Sequence, residues 1–123
     1  GAKRRQITNV PEQVGSVYVA DDTAFSLYGF TQEAANQYID AVSALVNKVS
    51  SDVTVYDIVV PISTGIYLDE KLQEELGCSD EQAAIQYIYD NMDKKVVTID
   101  AFTALKNHSD EYLYFRTDHH WNP

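Results

Sequence analysis

The chain has 123 residues, room for one domain and not for two. Its 45% hydrophobic content supplies a core and excludes global disorder. Nine Lys+Arg against nineteen Asp+Glu leave a net charge of −10, and three of the cations, Lys3, Arg4 and Arg5, crowd at the start; a nucleic-acid partner, which needs clustered basic charge, is excluded. The one cysteine, Cys78, cannot close an intrachain disulfide. No apolar run reaches the roughly 18 residues of a membrane-spanning helix.

Residues 1–14 lack a period and contain Pro11, and read as a mobile lead-in to a single domain over 15–123. Gly15–Ala20 is a short run of β-branched and aromatic residues that suits a strand, broken by Asp21-Asp22-Thr23. Thr31 can cap a helix in which Ala35, Tyr38, Ile39, Val42, Leu45, Val46 and Val49 recur at spacings of three and four. That stripe predicts an amphipathic helix over 31–49. Val53–Val60 is nearly continuous in β-formers, the pattern of a strand covered on both faces, and Pro61 ends it. Residues 62–78 are ambiguous, with a short helix possible over Asp69–Leu76. Ser79 and Gln82 have capping-box spacing, and Ile85, Ile88, Tyr89 and Met92 continue a second helix over 79–92. Val96–Ile99 and Tyr112–Phe115 read as two further short strands. Alternating strands and helices predict an α/β fold, three-layer, with a mainly parallel sheet flanked by the helices.

Chemistry concentrates near the carboxyl end, in Tyr114-Phe115-Arg116-Thr117-Asp118-His119-His120-Trp121. In an extended backbone, side chains alternate faces, so Asp118 and His120 share one side and His119 takes the other. A carboxylate beside an imidazole two positions on can hold one ring nitrogen, fix the tautomer and stabilise the imidazolium formed in proton transfer. Arg116 falls on the same alternating face as Asp118, placed either to pair with it, to hold an anionic substrate, or to form a surface salt bridge. What the Asp118–His120 pair lacks is an evident nucleophile. Ser63, past the end of the Val53–Val60 strand, is the best-placed serine, but no Gly-x-Ser-x-Gly surrounds it. Cys78, ahead of a helix start, is a candidate for a lowered thiol pKa. His108, in the polar stretch Lys106–Asp110, reads as solvated.

The Tyr-Phe-Arg-Thr-Asp-His-His-Trp segment resembles the signature of the bacterial DHHW family. That family is similar to SGNH-hydrolase-like O-acetyltransferases of the alginate type, which carry an Asp-x-His-Trp element. The resemblance implies that Asp118 and His120 are two members of a Ser-His-Asp triad, with Trp121 completing the motif and His119 and Arg116 supporting it. The nucleophilic serine of such proteins lies downstream of the motif in a Gly-Asp-Ser type turn, so the resemblance implies an amino-terminal part of a longer, SGNH-like domain, inactive alone. It implies an envelope or secreted polysaccharide and an acyl donor as partners, a position outside the cytoplasmic membrane, often behind an upstream anchor, and no cofactor. An open face left by missing downstream elements is expected to favour a homodimer.

Two other readings stand beside this one. The chain can be a non-catalytic extracellular interaction domain that keeps a fold without its chemistry. Asp-His-His is also the fingerprint of metal-dependent phosphoesterases, which need further aspartates nearby. Asp21-Asp22 has the wrong spacing for those and Asp100 is a lone candidate, while His119 and His120 on opposite faces would not grip one ion.

Overall fold

The computed structural model describes Ile7 and residues 9–123. The first unit is a three-stranded antiparallel meander of β1 (Glu12–Val14), β2 (Val17–Ala20) and β3 (Thr23–Phe25). Both hairpins close through two residues, as the pairings Val14↔Val17 and Ala20↔Thr23 show. Each loop opens on a residue with positive φ, Gly15 at 64° and Asp21 at 54°, the backbone that matches the twist of a two-residue hairpin. Gly15 is therefore a turn residue rather than the start of a strand, and Asp21-Asp22 reverses the chain rather than merely breaking it. Of the lead-in expected over 1–14, residues 1–6 and 8, with Lys3, Arg4 and Arg5, lie outside the described residues; Glu12–Val14 is paired as β1.

Helix α1 (Gln32–Lys48) matches its expected span. The Thr31 side chain accepts a hydrogen bond from Ala34 N–H, and Glu33 and Lys48 sit at the ends where the helix dipole favours each charge. It buries Ala35, Ile39 and Val46 against Ile88, Met92 and Val96. Next come β4 (Tyr56–Ile58), α2 (Ser63–Tyr67), α3 (Glu70–Glu75), α4 (Glu81–Asp90), β5 (Val97–Ile99) and α5 (Ala101–Lys106). The helix possible over 69–76 exists as α3, capped by Asp69. At α4 the cap is Asp80, accepting from Ala83 N–H, and not Ser79. The Ser79 hydroxyl instead accepts from Phe30 N–H at 3.0 Å, tying α4 to the segment ahead of α1.

The fold is mixed α/β, but the expected three-layer, mainly parallel sheet is absent among the described residues. Five short strands divide into the antiparallel meander and a two-stranded parallel pair, β4–β5. Strands of three or four residues separated by two-residue turns can only pair antiparallel, because a parallel connection needs a crossover of a dozen residues or more. The expected cover on both faces of the Val53–Val60 strand is also missing. Val55 and Val59 pack against the α1–α4 cluster with Asp57 buried between them, whereas Tyr56, Ile58 and Val60 face outward. No helix among the described residues is long and apolar enough to cross a membrane.

A second cluster joins Ala20 and Phe25 of the meander to Ile7 and Leu68, and a third joins Ile66, Ile85, Phe102 and Tyr114. The third lies directly beneath the carboxyl-terminal motif.

Candidate functional site

Tyr114 anchors the motif. It is 1% exposed, and its hydroxyl donates to Pro61 O at 2.7 Å. A buried tyrosine needs such a partner for its polar end. From below, the Tyr67 hydroxyl donates to Glu111 O at 2.7 Å and accepts from Leu113 N–H at 2.5 Å, fixing the incoming backbone. The rings of Tyr67 and Tyr114 meet edge to face at 5.6 Å, and Trp121 meets Tyr114 at 6.5 Å from the other side.

The expected strand Tyr112–Phe115 does not continue extended into the motif. Tyr114 forms an isolated antiparallel bridge to Trp121, flanked by Phe115 N–H to His120 O at 3.1 Å and Asn122 N–H to Leu113 O at 3.0 Å. Residues 116–120 are bends that make the tip of this narrow hairpin. One side of the tip is fastened to β3 by Ala24 N–H donating to Arg116 O at 2.7 Å. Arg116 does not pair with Asp118: its Nε lies 3.2 Å from Asp22 Oδ2, a surface salt bridge, and its guanidinium lies over the Tyr112 ring.

Asp118 and His120 do meet, for a different reason from the one their spacing suggested. Asp118 Oδ1 accepts the backbone N–H of His120 at 2.9 Å, a local turn in which an Asp side chain replaces a backbone acceptor. The same oxygen lies 2.5 Å from His120 Nδ1. The His120 backbone N–H, first, and then its ring hold the Asp118 carboxyl below the usual carboxylate range. An ionised carboxylate only accepts, so Nδ1 carries a proton, and in the neutral ring Nε2 then presents a lone pair. The ring is 68% exposed, and Nε2 makes no hydrogen bond among the described residues.

His119 is not on the opposite side. With no pleat through the tip, its ring stacks on His120 at 4.1 Å between centroids, tilted by 33°. Its Nδ1 is 3.7 Å from Asp118 Oδ1. One ligand atom from each of Asp118, His119 and His120 falls within 4.8 Å of the others, so the geometric objection to a shared cation disappears. The extra aspartates of a phosphoesterase are otherwise engaged. Asp22 holds Arg116, Asp21 accepts from Asn9, and Asp100 caps α5 through Thr103.

Beside the tip lies a cleft of about 290 Å³ lined by Phe25, Ser26, Ile62, Ser63, Thr117, Asp118 and His119, among others. The structure thus brings Ser63 to the motif's neighbourhood, 7% exposed in the first turn of α2. Cys78 is no activated thiol: burial pushes its pKa up, only partly offset by Tyr28 N–H donating to its sulfur at 3.3 Å. His108 is exposed and hydrogen-bonded to Glu111.

Glu81 had no sequence signal, since a Glu in a first helical turn is ordinary. It is 5% exposed, and both carboxyl oxygens accept from Ile62 N–H, at 3.2 and 3.3 Å. Burial pushes its pKa up to about 7. A Cβ on Gly65 would lie closer than 3.0 Å to Glu81 Oε1, so only glycine admits the carboxyl there. Glu81 holds the start of α2, and with it Ser63 and the Pro61 carbonyl that anchors Tyr114.

The sequence model of a family described as DHHW protein matches residues 4–123. The fold is similar to that of a solved DHHW family protein from Eubacterium siraeum, with a TM-score of 0.80 and 30% identity over 95% of this chain. The match covers 38% of that protein's chain. No curated protein matches.

Proposed function

The chain belongs to the DHHW family, and on that footing we propose that Asp118 and His120 form the acid–base pair of an SGNH-like acyl-transfer site. The observation that carries the proposal is the single Asp118 oxygen holding both the backbone N–H and Nδ1 of His120 while Nε2 stays open. His120 Nε2 takes the proton of an attacking hydroxyl as that oxygen bonds to the acyl carbonyl carbon. Asp118 stabilises the resulting imidazolium, which returns the proton to the departing oxygen as the ester bond breaks. The attacking serine belongs to sequence outside residues 1–123, consistent with a relative of which this chain spans 38%. The resemblance implies a polysaccharide of the cell envelope or its secretions, outside the cytoplasmic membrane, whose free hydroxyl accepts the acetyl group in transfer or whose acetyl ester donates it in removal.

A second reading rests on the convergence of Asp118, His119 and His120 within 4.8 Å, which suits a divalent cation and phosphoester chemistry. Acetyl-ester and phosphodiester turnover by the complete gene product separate the two. Under the acyl reading, His120→Ala lowers acetyl-ester turnover by about 10²–10⁴-fold while His119→Ala costs much less. Equal losses, or none, reject the role assignment. Metal-dependent phosphodiester turnover lost equally in both variants would establish the second reading.

A further inference from the structure

We propose that the outward face of β4–β5, made by Tyr56, Ile58, Val97 and Ile99, is the seat of an apolar helix from sequence outside residues 1–123. The register pairs Tyr56 with Val97 and Ile58 with Ile99, so the four side chains form one block on one face of the sheet. Tyr56 is 64% exposed and the other three are 40–48% exposed; Val60, at 45%, extends the row along β4. The opposite face of β4 is filled by Val55 and Val59 against the α1–α4 cluster.

Parallel strands are found with both faces covered, because their connections lay helices on them. Here the inner face is covered at β4, though Thr98 of β5 is exposed there, and the outward face has no helix over either strand among the described residues. A contiguous block of large apolar side chains on a small domain marks a surface built to be covered.

Two observations choose the occupant. The solved relative matches 95% of this chain with 38% of its own, so most of that relative's chain lies outside the matched part and is long enough to supply a helix layer. A second copy is disfavoured by charge: each chain carries −10, and no residue of the apolar block offers a compensating cation. An intrachain helix also avoids the loss of translational freedom that a dimer incurs. The inference does not depend on the chemistry of Asp118 and His120.

Hydroxyl-radical footprinting of the 123-residue chain and of the complete product of its gene tests it, read at Tyr56. Tyr56 is expected to be oxidised readily in the 123-residue chain and protected in the complete product. Ile58→Lys is expected to lower the melting temperature by about 5 °C or more in the complete product and by less than about 2 °C in the 123-residue chain. Equal Tyr56 oxidation in the two proteins overturns the proposal, as does a reading frame that ends at Pro123. Sedimentation of the 123-residue chain as a dimer, with Tyr56 protection that grows with concentration, would make a second copy the occupant and overturns it as well.

Discussion

Neutralising Glu81 should remove a pH dependence from the stability of this domain. The carboxyl is 5% exposed and forms no ion pair among the described residues; its hydrogen bonds come from Ile62 N–H alone. Its neighbours give it no positive charge: Tyr28, Cys78 and Tyr114 surround it, and the Lys106 ammonium is spent on the carbonyls of Gly65 and Ile66. Burial therefore raises its pKa from 4.5 to about 7. Between those values the native state binds more protons than the unfolded chain, so stability falls as pH rises, and levels off above about 7. At about 1.4 kcal/mol for each tenfold change in proton affinity, the whole fall is about 3.5 kcal/mol, of which about 2–3 kcal/mol lies between pH 5 and pH 8. Urea denaturation should show a midpoint about 1–2 M lower at pH 8 than at pH 5, after other titrations are cancelled against Glu81→Gln. The variant keeps an amide oxygen for Ile62 N–H, and whatever its nitrogen costs beside Gly65 is the same at both pH values. If wild type and Glu81→Gln lose stability in parallel between pH 5 and pH 8, the raised pKa is wrong.

Gly65→Ala should destabilise by about 1–3 kcal/mol, since its Cβ would press on Glu81 Oε1, and thermal unfolding reads the loss; a melting temperature unchanged from wild type would show that the carboxyl moves freely. Tyr114→Phe strands the Pro61 carbonyl, which should cost about 1–2 kcal/mol and speed amide exchange at Phe115 and Asn122, the two N–H groups that close the motif hairpin. Exchange that stays as slow as in wild type would mean that the hairpin does not rely on this anchor.

Helix α1 was legible in the sequence because its signals are local: a capping Thr31 and an apolar stripe long enough to show its period. The stripe overstates burial at its edges, for Tyr38 is 40% and Leu45 50% exposed. Of the meander only β2 was legible, inside the strand expected over Gly15–Ala20; β1 and β3 have three residues each, too few to show alternation, and the turns hide in Gly15 and Asp21. Ser79 and Asp80 are both capping residues, and only the tertiary bond from Phe30 N–H to Ser79 decides that Asp80 caps α4. At the site, the spacing pointed to a contact between Asp118 and His120, but through a pleat that the bends at 116–120 replace with an Asp side-chain turn. The position of His119 was not legible, because it follows from an aspartate side chain taking over a backbone hydrogen bond and bending the tip. Tyr67 and Glu81, which support the site from 113–114 and from α2, are separated from the motif by more than thirty residues and carry no signature of that task.

The account rests on a carboxylate that pins one nitrogen of one imidazole and leaves the other bare. Nitrogen-15 NMR of the imidazoles above their titration range reads this directly. Wild-type His120 should hold its proton on Nδ1, with Nε2 showing the shift of an unprotonated nitrogen, and Asp118→Ala should return it to a mixture dominated by Nε2–H. A wild-type His120 already protonated on Nε2, indifferent to Asp118→Ala, would contradict it.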